Sequence, residues 1–113
     1  MDKRRTLRLD KVFPVSVSST SFGQVVAIAR NISEGGMFIE LSEPLPLGSP
    51  IRVHFTMPDA RGEIVALGEV KGHYFMNFVD GTGPRALAGM GVRFVGFDGG
   101  EEILNRTLSE SLH

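Results

Sequence analysis

Short runs of β-branched and aromatic residues recur along the chain, separated by glycine- and proline-rich turns, and this rhythm limits the fold more than any other feature. Residues 12–17, 25–32, 37–41, 51–55, 62–70, 73–79 and 90–97 each read as a strand. The fourth is the cleanest: Ile51-Arg52-Val53-His54-Phe55 alternates strictly, with apolar residues on one face and Arg52 and His54 on the other, as a half-buried strand requires. Pro14 places the first run at a sheet edge or bulge. Pro44, Pro46, Gly48 and Pro50 mark a turn-rich loop, because proline fixes φ and removes a ladder donor. Asp80-Gly81-Thr82-Gly83-Pro84 ends the sixth run in a turn. Strands at this spacing predict a mainly β fold, a six- to seven-stranded antiparallel sheet closed or nearly closed into a barrel. Glycine, at 14 of 113 residues, exceeds the usual ~7%, and tight barrel corners would account for it.

The period changes at the C-terminus. Asp98 is placed as an N-cap with Glu101 three residues on, the pattern of a capping box. Ile103, Leu104, Thr107, Leu108 and Leu112 then share one helical face. A helix over about 99–112 is expected, covering one barrel opening. With 113 residues and 42% hydrophobic content, the chain suits a single domain with a modest core. It divides into a flexible basic arm, residues 1–11, and a barrel with its helix, residues 12–113.

Composition excludes several functions. There is no cysteine, so disulfides, thiolate metal sites and a cysteine nucleophile are out. The histidines His54, His73 and His113 have no pairing or acidic partner at metal-ligand spacing, and no nucleophile elbow or phosphate-cradling Walker loop is present. Neither catalysis nor a metal or other cofactor is expected. No run approaches the ~20 apolar residues of a membrane span, and no secretory leader is visible, so a cytoplasmic location is expected. The formal net charge of −1 and pI near 6.3 give no long-range attraction for nucleic acid or an anionic membrane. Positive charge is local: Lys3, Arg4, Arg5, Arg8 and Lys11 stand against Asp2 and Asp10 within the arm.

Within that arm Arg4 and Arg8 lie about 13 Å apart in an extended chain. A planar guanidinium matches both a phosphate oxygen pair and the O6/N7 edge of guanine. Some two dozen residues later, Asn31-Ile32-Ser33-Glu34-Gly35-Gly36 supplies short polar side chains, and glycines that let backbone N–H groups approach an anion. Taken separately, the arm reads first as a solvated basic tail, and the turn reads equally as an ordinary strand connection. Taken together, R-x-x-x-R at Arg4 to Arg8 and N-x-S-x-x-G at Asn31, Ser33 and Gly36 resemble the PilZ domain family. The likeness continues through Gly35-Gly36-Met37-Phe38-Ile39, Pro44-Leu45-Pro46-Leu47-Gly48 and Gly89-Met90-Gly91-Val92-Arg93-Phe94, over nearly the whole chain.

The resemblance implies a PilZ-type barrel that binds cyclic di-GMP, with Arg4, Arg5, Arg8, Asn31, Ser33, Gly35 and Gly36 as the ligand-binding residues. Asn31 and Ser33 would face guanine or phosphate, and Gly36 would keep the turn compact. Many relatives carry Asp where this chain has Asn31. A carboxylate accepts from both N1–H and N2–H of guanine, whereas a carboxamide offers one acceptor and an opposing donor, so weaker or differently oriented guanine binding is expected. The function implied is a non-enzymatic cyclic di-GMP receptor. Its mutually repelling arginines leave the arm mobile until the ligand bridges it to the turn and presents a new face to a protein partner. The alternative is a PilZ-like protein-interaction module that binds no nucleotide. Its contact surface would be the final helix or the apolar stretch Tyr74, Phe75, Met76 and Phe78, whose outer face would meet a partner or a second copy of the chain, or else be covered by the helix or the arm.

Overall fold

Alternation translates directly into inside and outside. The computed structural model describes residues 8–58 and 60–111. Its elements in chain order are β1 (Arg8–Leu9), β2 (Phe13–Ser19), β3 (Gly23–Ser33), β4 (Gly36–Glu40), β5 (Pro50–Phe55), β6 (Ile64–Asp80), β7 (Gly83–Gly99) and α1 (Glu101–Glu110). In β5, Ile51, Val53 and Phe55 are buried while Pro50 and Arg52 are exposed, and β2 buries Phe13, Val15 and Val17 in the same way. Six strands close a ring in the order β3-β2-β5-β6-β7-β4, with β4 returning to β3, and β1 pairs with the end of β3 that extends past β2. Every pairing is antiparallel. Pro14 pairs with Ile28 but lies outside the Ser16–Ser18 stretch that β2 shares with β5, so its missing N–H is not needed there. The core fills the barrel: Ala29, Ile32, Ile39, Val53, Ile64, Ala66, Met90 and Leu104 have no exposed surface.

Two expected strands are one. The sequence places a break between Val70 and His73, but β6 runs unbroken for 17 residues. The Val70 carbonyl accepts from Gly48 N–H at 2.7 Å and its N–H donates to Ser49 at 3.1 Å. Lys71, just beyond, is the extra residue of a β-bulge against β7. Strand β7 likewise starts at Gly83, seven residues before the expected Met90. Beyond the barrel the two strands continue as a ribbon whose turn is closed by Asp80 accepting from Thr82 N–H at 2.8 Å and its hydroxyl at 2.7 Å.

The capping box does not form. Asp98 is still in β7, where its carboxylate accepts from Arg52 Nη1 at 2.5 Å. The N-cap is Gly100 at φ 83° without a side-chain cap. A Cβ there would meet the Glu63 carbonyl at 2.5 Å, so glycine is required on both counts. Leu104 and Leu108 bury into the core and Ile103 packs against it; the expected end of the helix at 112 lies outside the described residues. Helix α1 seats near Gly62 and Ile64, not over the apolar stretch of β6, where Tyr74, Phe75, Met76 and Val79 remain more than half exposed.

Candidate functional site

Antiparallel register carries residues distant in sequence into rows across the outer wall of the barrel. One row runs Arg8 to Ser33 to Gly36 to Arg93 to Glu69, crossing β1, β3, β4, β7 and β6. The next runs Asn31, Phe38, Gly91 and Gly72, and a third Glu40, Gly89 and Tyr74. Between them lies a groove of about 700 Å³ lined by Arg8, Asn31, Ser33, Gly35, Gly36, Met37, Phe38, Lys71, Tyr74, Met76, Leu87, Gly91, Val92 and Arg93. Five of the residues expected from the sequence therefore meet in one place. Arg4 and Arg5 lie outside the described residues.

Each of the five has a distinct role. Arg8 Nη1 donates to Asn31 Oδ1 at 2.5 Å, so the first motif already touches the second. Residue 8, assigned to the flexible arm, is paired in β1. Ser33 is 3% exposed. Its hydroxyl accepts from Gly35 N–H at 3.2 Å and donates to the Gly36 carbonyl at 3.4 Å, which commits it to shaping the turn. Gly36 brings β4 against β7 so closely that a Cβ would overlap the Val92 carbonyl oxygen. Gly35 has open space around it.

The floor is a lane of strand glycines, a feature the barrel-corner expectation missed. A Cβ at Gly89 would strike Phe38 Cζ at 2.5 Å, and one at Gly91 would press on Tyr74 Cε2 at 3.1 Å. Without those side chains Phe38 and Tyr74 lie down over β7 and meet edge-on, 5.9 Å between centroids. Period-two spacing of Gly89 and Gly91 on one face was the available signal.

Lys71, Tyr74 and Arg93 were also missed as lining residues. Arg93 Nη2 lies 3.3 Å from Glu69 Oε1 and Lys71 Nζ 3.9 Å from the same oxygen. The lining holds three cations and no carboxylate. Among the described residues no set of three or more His, Asp or Glu gathers to hold a metal, and no helix is long and apolar enough to cross a membrane.

These features define a class: a closed antiparallel barrel that presents a cation-edged, glycine-floored groove on its outer wall, with its interior given over to packing. The chain belongs to the PilZ domain family, whose model matches residues 2–110. Among solved structures it is similar to the PilZ domain with c-di-GMP of YcgR from Escherichia coli, at 16% identity and TM-score 0.75 over 96% of this chain and 91% of that one. It is also similar to the Bacillus subtilis inhibitor of motility MotI/DgrA, at 19% identity and TM-score 0.70 over 99% of this chain and 53% of that one. The third is MrkH, described as a c-di-GMP-dependent transcription regulatory factor, at 15% identity and TM-score 0.76 over 97% of this chain and 51% of that one. The chain thus spans about half the length of the last two. No curated protein sequence matches it.

Proposed function

We propose that this chain is a receptor for cyclic di-GMP, bound on the outer wall of the barrel by Arg8, Asn31 and the 33–36 turn, with Arg4 and Arg5 joining from the preceding segment. The observation that carries the reading is the convergence of Arg8, Asn31, Ser33, Gly35 and Gly36 on one groove. The c-di-GMP named for YcgR and MrkH supports the same ligand. The guanidinium of Arg8 would grip a guanine O6/N7 edge or a phosphate. The glycine lane lets Phe38 and Tyr74 lie flat on the sheet, and a purine would pack against those rings. Contacts joining residues 4–8 to the turn would change the surface offered to a protein partner, and the ligand shifts that equilibrium by its difference in affinity for the two states.

Calorimetric titration with cyclic di-GMP, using GMP and cyclic di-AMP as controls, tests the ligand. Saturable binding by cyclic di-GMP alone is expected. Arg8→Ala should weaken it roughly 10- to 100-fold, the worth of a charge-assisted hydrogen bond. No binding at micromolar ligand would transfer the reading to the interaction module, which the ribbon favours: Phe75 and Val79 are 78% and 77% exposed on one face.

A further inference from the structure

The groove has a second cationic end that neither motif accounts for. Arg93 stands three strands from Arg8 along one row, about 14 Å at the ~4.8 Å spacing of adjacent strands. Lys71 joins it because the bulge in β6 adds a residue between Val70 and Gly72, and bulges re-aim side chains in this way. Both cations line the groove, and both are held by a single carboxylate oxygen of Glu69, at 3.3 and 3.9 Å.

We propose that Arg93 and Lys71 form a second phosphate subsite, and that Glu69 is the internal counter-ion a ligand phosphate must displace to reach it. This rests on the reading of the groove as a site for an anionic dinucleotide. A ligand with two separated phosphates then meets Arg8 at one end and the Arg93–Lys71 pair at the other. Glu69 sets the affinity by competing for the same donors. Because these side chains are 39–59% exposed, the competition is screened and modest, and it acts on charge alone.

The test uses the whole chain and its Glu69→Gln, Arg93→Ala and Glu69→Gln/Arg93→Ala variants, all checked for unchanged thermal midpoints. Calorimetry with cyclic di-GMP should show Glu69→Gln binding roughly three- to tenfold tighter, the scale of two exposed ion pairs. That gain should disappear when Arg93 is absent, the non-additivity a shared contact requires. Inorganic pyrophosphate, followed by amide shifts of Lys71 and Arg93, probes the subsite independently of the nucleotide. If the wild type ignores cyclic di-GMP while Glu69→Gln still takes up pyrophosphate through Arg93, the ligand assignment fails and the subsite stands. If Glu69→Gln gains nothing for either probe, or gains as much without Arg93, the subsite is overturned.

Discussion

Gly36 and Gly35 are adjacent and read alike in the sequence, yet the structure gives them opposite tolerance to a methyl group. At Gly36 an alanine Cβ would overlap the Val92 carbonyl oxygen, with the carbonyl carbon at 3.2 Å and Arg93 Cα at 3.4 Å. Non-bonded carbon–oxygen contacts settle near 3.3 Å, and the obstacle is backbone, which has no rotamer to escape into. Relief therefore needs β4 to draw away from β7 by roughly 1 Å at the Gly36–Arg93 rung, beyond what packed strands absorb. The neighbouring bond from Phe94 N–H to the Gly35 carbonyl, 2.8 Å long, opens with it. One or two backbone hydrogen bonds at ~1 kcal/mol, plus a buried carbonyl left unmatched at ~1–3 kcal/mol, make the cost about 2–5 kcal/mol. At Gly35 nothing lies within 4 Å and φ is not left-handed, so Gly35→Ala should stay within about 0.5 kcal/mol. Urea unfolding followed by circular dichroism measures both. Equal losses at the two positions, or a Gly36→Ala loss below about 0.5 kcal/mol, would refute the close-approach argument.

Three further outcomes follow from single contacts. Asn31→Asp should tighten cyclic di-GMP binding, since a carboxylate accepts from both guanine N–H groups; equal or weaker binding by calorimetry counts against a guanine contact at residue 31. Leu104→Ala removes a side chain with no exposed surface and should cost about 2–5 kcal/mol in thermal or urea unfolding; a smaller loss means that α1 is not part of the cooperative core. The Asp80 carboxyl is held below its ordinary 3.8 first by the Thr82 hydroxyl, then by the Thr82 N–H, with Arg85 assisting. A depressed folded value means that the ribbon turn is stabilised above the ordinary pKa and loses that support as pH falls through the lower one. An NMR titration of Asp80 should give a midpoint under 3.8 that rises in Thr82→Ala; a midpoint at or above that value removes the argument.

Strand positions and core were legible because side-chain alternation is local: Phe13, Val15, Val17, Ile51, Val53 and Phe55 are buried where period two places them. The meeting of Arg8 with Asn31 and Ser33 was legible as two motifs, since β1 and the end of β3 are direct neighbours. Asp98 carried a genuine capping pattern, but a tertiary partner, Arg52, held it in the strand while glycine geometry started the helix. Lys71, Tyr74 and Arg93 were invisible as site residues because their place depends on pairing among β4, β6 and β7, which no local pattern encodes.

Two of the sheet's register shifts, at Arg30 and Lys71, explain why the groove exists on the outer wall at all. In β3, Ala29 pairs with Ile39 and Asn31 with Phe38, leaving Arg30 as the extra residue. Because side chains alternate, regular pairing straight through Arg30, with no bulge, would turn Asn31 and Ser33 into the barrel and expel Ile32, which now has no exposed surface. In β6, the extra Lys71 does the same for Gly72 and Tyr74: Val70 points in against Val92, yet Gly72 already lies on the outer row opposite Gly91. Each bulge thus reconciles a packed interior on one side of it with a polar or aromatic groove face on the other. The two lie on the two strands that flank β4 and β7, so the groove spans the stretch of wall whose facing is set by an inserted residue at each side.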